Sequence, residues 1–295
     1  MPDNPAGPTS LIQLGPCQAS RFIVGHNPPC ANSHRSVEMN REMAEYFTVE
    51  NVLKLYHHAE ALGVRTFLIR ADYRMLGWVE LYRRAGGEMS FIAQTASEMH
   101  DVFQNIRVTA AAGAAGIYHH GTQTDKFWKQ GRIDDCVDYL QCMRDCGVAV
   151  GLATHIPEVI EYAEEHAWDV DYYLACLYNI SRVDRQSLMD GGDVSQYDRE
   201  PYLPEDRVRM LELIRATPKP VLAFKVLAAT RLCQTQEQVR GAFADAYANI
   251  KPTDGVIVGL FPKHLDQVAL DLQYAEAACR AAASAQPHLP TTPSA

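Results

Sequence analysis

No apolar run in this 295-residue chain reaches the ~18 residues that a membrane-spanning helix needs, so no membrane partner is expected. Positive charge is also short. Lys and Arg number 27 against 36 Asp and Glu, a net charge of −9, and the basic residues are dispersed. Neutralising phosphates takes clustered Lys and Arg, which argues against a nucleic-acid partner. The stretch from Met1 to Gly15 has neither the basic start nor the apolar centre of a signal peptide. GxGxxG, P-loop and Ser-elbow motifs are all missing, so those routes to nucleotide or acyl chemistry have no support. The eight cysteines do not form a disulfide pattern, because Cys136, Cys142 and Cys146 lie on or beside one helix and Cys176 sits in a strand. Reduced thiols in a cytoplasmic setting are expected. Cys142 and Cys146 are spaced to share a helix face, but no second pair stands at zinc-site spacing.

What is present is a repeat. Apolar strand cores followed by a polar cluster and an amphipathic helix recur eight times, at Arg21–Gly25, Arg65–Arg70, Met89–Gln94, Ala115–His119, Ala149–Thr154, Val170–Leu177, Pro220–Leu227 and Gly255–Leu260. This pattern predicts an α/β fold, a (β/α)8 TIM barrel, which uses roughly 250 residues as one domain. The expected division is a flexible tail over residues 1–20, the barrel over 21–284 and a disordered Pro/Thr/Ser-rich tail over 285–295. Thr48 is placed to cap a helix from Val49 that Gly63 ends. Two connections are unusually long, Asn27 to Phe47 and Ile180 to Pro204. The second carries Asp190-Gly191-Gly192-Asp193 and is expected to cover the barrel mouth.

Barrels of this kind keep their chemistry at the C-terminal strand ends. Those ends carry His26 and Asn27, Arg70 and Asp72, Gln94 and Thr95, His119 and His120, Thr154 and His155, Tyr178 and Asn179, Lys225, and Lys263 just beyond the last strand. His119 and His120 are adjacent, so only one of them points inward. His26, His119 and His155, with Asp72 nearby, make a candidate set of ligands for a divalent metal, or metal-free acid/base groups titrating near neutral pH. Lys225 interrupts the run Val221-Leu222-Ala223-Phe224, and a strand lysine is seldom buried without a task. With Lys263 it points to an anionic substrate or a nucleotide.

Several of these strand ends resemble the aldo-keto reductases. Gly151-Leu152-Ala153-Thr154-His155 is similar to their fifth strand, Tyr178-Asn179 to the pair after the sixth, Ala223-Phe224-Lys225-Val226-Leu227 to the seventh, and Gly259 to Val268 to the eighth-strand turn. The resemblance implies that topology, NADP held at the eighth-strand turn, and His119 facing the centre. The rest of the reductase tetrad falls on Ile69, Arg74 and about Thr95, so a phenol proton donor is missing there.

The expected function is therefore non-redox acid/base chemistry of lyase, isomerase or hydrolase type on a small polar carbonyl or sugar-like compound. In that reading His119 and His155 exchange protons and Lys225 or Arg70 stabilises a developing anion, while Gln94, Asn179 and Asp72 orient hydroxyls. His26, Asn27, Tyr178, Phe224 and Lys263 complete the substrate contacts. The alternatives are an NADP-dependent reductase, with Phe224 against the nicotinamide and Tyr73 as displaced donor, and a non-catalytic ligand-binding barrel.

Overall fold

The computed structural model describes residues 7–96, 99, 101–184 and 192–285. It opens with an element that the composition of the first twenty residues conceals, an antiparallel hairpin of β1 (Leu11–Leu14) and β2 (Cys17–Ser20). Its turn is tight because Gly15 takes φ +53°, left-handed backbone that glycine adopts without a steric cost. Alternate residues Ile12, Leu14 and Ala19 are buried against Ile23, Ala149, Tyr172 and Leu222 inside the barrel. Residues 11–20 are thus a plug on the floor of the barrel rather than flexible tail, and residues 1–6 of the expected tail lie outside the described residues.

The eight expected strands are all present: β3 (Phe22–Gly25), β4 (Thr66–Arg70), β5 (Ser90–Gln94), β6 (Gly116–His119), β7 (Ala149–Thr154), β8 (Tyr172–Cys176), β9 (Val221–Phe224) and β10 (Gly255–Gly259). All are parallel, in sequence order, and β10 closes on β3 with Val256 opposite Phe22 and Gly259 opposite Gly25. The protein is a (β/α)8 barrel.

Side chains on each strand alternate between two cores. Ile23, Leu68, Ile92, Tyr118, Ala153, Leu174 and Leu222 point inward and fill the barrel. Phe22, Phe67, Ile69, Phe91, Ile117, Leu152, Tyr173 and Val256 point outward against the helices. Gly151 leaves room inside for two tyrosines, since a Cβ there would lie 2.6 Å from the Tyr172 ring and 2.7 Å from Tyr118 Cβ.

The helices are α1 (Val37–Tyr46), α2 (Val49–Ala61), α3 (Tyr73–Arg84), α4 (Val102–Ala111), α5 (Gly121–Lys129), α6 (Cys136–Asp145), α7 (Pro157–Glu165), α8 (Pro204–Ala216), α9 (Gln236–Asn249) and α10 (Gln267–Ala285). Thr48 caps α2 as expected, accepting from Asn51 N, and Gly63 follows it at φ +94°. The long connection after β3 is not loop throughout, because Ser36 accepts from Met39 N at 3.1 Å and starts α1. The connection after β8 carries 3₁₀ turns at Ile180–Arg182 and Val194–Arg199. Of the expected cover, Asp190 and Gly191 lie outside the described residues, and Asp193 caps the second turn by accepting from Ser195 N. Among the described residues no helix is long and apolar enough to cross a membrane.

Candidate active site

The C-terminal ends of the strands enclose a cavity of 560 Å³. Its wall takes His26 and Asn27 after β3, Arg70 from β4, Gln94 from β5, Tyr118 and His120 around the end of β6, His155 after β7, and Phe224 and Lys225 from β9. These positions continue the inward alternation of each strand: Leu68 leads to Arg70, Ile92 to Gln94, Ala153 to His155 and Leu222 to Phe224.

His155 is the best-supported of them. Its Nδ1 lies 2.7 Å from Asp125 Oδ2, and because an ionised carboxylate only accepts, the network assigns the proton to Nδ1 and the basic lone pair to Nε2. Asp125 is on α5, 2% exposed, and also accepts from Thr154 Oγ1 at 2.5 Å, from His155 N at 3.2 Å and from Ser181 Oγ. Burial alone would raise this carboxyl, but the His155 ring and the Ser181 and Thr154 hydroxyls outweigh it and hold it below its ordinary value. The imidazole is further fixed edge-on against Phe224, centroids 5.4 Å apart.

Around this pair the wall is cationic. Arg70 is 3% exposed, and Lys225 directly follows β9 in left-handed backbone at φ +60°. A lysine pays of order 1 kcal/mol or more for that conformation, so the surrounding fold imposes it. Three more non-glycine residues in the same connection, Ala228, Ala229 and Thr230, have φ between 48° and 71°. His26 is buried beside these charges. Desolvation first, then Arg70, His34 and Lys225, lower its pKa to about 3, so it is a neutral ring at physiological pH. The Tyr118 hydroxyl donates to Gln94 Oε1 at 3.3 Å.

A second histidine–carboxylate pair stands at the rim. His34 Nδ1 is 2.9 Å from Glu200 Oε1, both side chains are buried, and the Tyr202 hydroxyl donates to Glu200 Oε2 at 3.2 Å. Tyr197 donates to Asn32 Oδ1 at 2.7 Å and accepts from Asn40 Nδ2. These contacts tie the connection after β8 to the connection after β3.

Several expected site residues lie elsewhere. His119 faces outward: its Nδ1 is 2.8 Å from Thr124 Oγ1, and its ring stacks on Tyr139 at 5.1 Å and on Phe127 at 5.8 Å in the helix layer. Tyr118 and His120 take the cavity positions on that strand. The set His26, His119 and His155 is therefore not brought together as metal ligands. Among the described residues no group of three or more His, Cys, Asp or Glu is placed to hold a metal ion.

Asp72 is the N-cap of α3, accepting from Met75 N at 2.9 Å, and does not line the cavity. Tyr178 packs on Tyr202 among the outer helices, and Asn179 borders a separate 330 Å³ hollow on the far side of His155, where its backbone N–H donates to Asp206. Lys263 pairs with Glu42 at 2.8 Å, an oxygen it shares with His264, and is turned away from the cavity. Tyr73 is 74% exposed on α3 and cannot serve as a displaced donor. For a nucleotide at the eighth-strand turn, Gly259, Phe261, Leu265 and Gln267 line the cavity but supply no cation.

Asp125, Glu200 and Asp271, the last also lining the cavity, were not anticipated. Each sits on a helix or a connection, where the strand alternation gives no signal. All eight cysteines are free thiols.

No protein-family model matches the chain, and no curated protein sequence matches it significantly. Solved structures do match. A protein assigned as a 2,5-diketo-D-gluconic acid reductase B superposes with a TM-score of 0.55 at 10% identity, covering 93% of this chain and 91% of that one. The Amycolatopsis orientalis BexX/CysO complex gives 0.53 at 12% identity, over 95% and 98% of the two chains. Xanthomonas albilineans dihydropteroate synthase gives 0.51 at 14% identity, over 95% and 99%. At such identities the likeness is one of fold, and it leaves the chemistry to be argued from the cavity.

Proposed function

We propose that the protein is an enzyme that performs non-redox acid/base chemistry, of lyase, isomerase or hydrolase type, on a small anionic carbonyl or sugar-like compound held in the mouth cavity. The observation that carries this reading is His155 on the cavity wall, held from behind by the buried Asp125. Asp125 fixes the tautomer and orientation of the ring, which makes Nε2 the basic atom that takes a proton from substrate. A positioned base of this kind contributes about 10²–10⁴ in rate. Arg70 and Lys225 draw in an anionic substrate and stabilise the oxyanion or enolate that forms as the proton leaves. Neutral His26, Gln94 and Tyr118 supply hydrogen bonds to hydroxyls without competing for the proton. His155 thus works without the His119 partner expected from the sequence. Eight free thiols fit a reducing, cytoplasmic compartment.

The test is solvent deuterium exchange, followed by NMR, over a panel of small anionic carbonyl compounds and sugar acids. Wild-type protein is expected to exchange a carbon-bound proton in one chemical class, and His155→Ala to lose about 10²–10⁴ of that rate while remaining folded. Equal exchange by the variant sinks the assignment. A reductase reading keeps one observation in its favour, Phe224 on the cavity wall. It predicts saturable NADPH binding that Phe224→Ala abolishes.

A further inference from the structure

Five carboxylates are buried among the described residues, and four of them are held by donors. Asp125 has His155, Thr154 and Ser181; Glu200 has His34 and Tyr202; Asp206 has Arg182 and the Asn179 amide; Asp254 has Lys251 and the Val221 amide. Asp271, on the first turns of α10 and 5% exposed, has no hydrogen bond or ion pair with any described residue. It is also the one carboxylate on the cavity wall among those residues.

An isolated carboxylate out of water is costly unless a cation or donor meets it. Asp271 shows that cost directly, since burial alone pushes its carboxyl up to about 7. Cys233, whose thiol is raised by burial and then by the Asp271 charge, lines the same cavity together with Gln234, Gln236, Val239 and Gln267, none of them a lysine or arginine. Gln236 and Gln267 each have their side-chain oxygen engaged, accepting from the Tyr274 hydroxyl and from Phe261 N. The same cavity has its cations, Arg70 and Lys225, at the ends of β4 and β9 and its single carboxylate on α10.

We infer that Asp271 is a recognition subsite for a protonated amine, and that the substrate is an anionic compound carrying an ammonium group at the end remote from its carboxylate or phosphate. The anionic head sits at Arg70 and Lys225, beside His155, and the ammonium meets Asp271. This deepens the reading of the cavity as the active site and rests on it for the head group. The ammonium supplies the donor that the fold gives its other buried carboxylates, and favours the ionised form of Asp271 on binding.

The test is calorimetric titration of the full chain with ω-amino carboxylates spanning roughly three to eight carbons, each beside the plain carboxylate and the plain alkylammonium ion of equal length. At the best length the amino compound should bind wild type about tenfold or more tightly than the plain carboxylate, the scale of one desolvated charge-assisted hydrogen bond. Asp271→Asn, which keeps the shape and removes a desolvated charge, should erase that margin and leave the plain carboxylate within about twofold. No margin at any length, or a margin that survives in Asp271→Asn, overturns the subsite. If plain carboxylates fail to bind, the head-group reading falls by itself. The alkylammonium ions then decide the subsite, which stands on tighter binding by wild type than by Asp271→Asn and falls on equal binding.

Discussion

The His119 ring is packed like a core aromatic, 3% exposed between Phe127 and Tyr139, with Thr124 and Cys136 at its Nδ1. Removing it leaves a void between two aromatic rings and strips Thr124 of a partner. His119→Ala should therefore cost about 2–4 kcal/mol in urea unfolding while the deuterium-exchange rate per folded molecule stays at the wild-type level. A large fall in exchange with unchanged stability would return His119 to the chemistry. The strand alternation allows only one of His119 and His120 to face inward, and the register against β5 decides which. Gln94 pairs with Tyr118 across β5 and β6, so an inward Gln94 makes Tyr118 inward and His119 outward. The resemblance to the reductases pointed the other way, and at this position the local period of two was the better physical guide. Asp125 is a different case. It is 30 residues from its partner His155 and on a covering helix, so only the closed barrel brings the two together.

At the scale of elements, the eight strands were readable because their apolar runs are buried on both faces, which leaves little room for another assignment. The hairpin over residues 11–20 was not, since four-residue strands flanked by Pro and Gly look like a tail until the barrel floor supplies the surface they cover. The rim clasp was equally hidden. His34 and Glu200 are 166 residues apart, and nothing local marks either as a partner. Glu200→Gln removes the charge that holds His34 and weakens the tie between the connections after β3 and β8. Amide hydrogen exchange should speed up by about tenfold or more over residues 194–200 and 31–36, with the barrel strands unchanged. Acceleration spread evenly over the barrel, or none at the rim, would mean that the pair does not latch these two connections together.

Over the whole molecule, three buried groups pull the pH profile of stability in opposite directions. His26 and His119 have pKa values lowered from 6.5 to about 3 and about 4, mainly by burial, so the folded state binds fewer protons than the unfolded chain between those values. Their contribution is complete above pH 6.5 and is lost as pH falls through about 4 and then about 3. Asp271 is the reverse, raised from 3.8 to about 7 by burial. Over that interval the folded state holds a proton that the unfolded chain has released, so stability drops as pH rises from 3.8 and levels off above about 7. Asp271→Asn cancels only this second loss. Its melting temperature should exceed wild type by several degrees at about pH 8, with the difference shrinking to nothing near pH 4, when both are followed by circular dichroism without ligand. A gain of equal size at both pH values would mean that Asn packs better for reasons unrelated to charge. A loss at pH 8 would mean that Asp271 already has a partner in solution, and would remove the electrostatic deficit from which the amine subsite was inferred.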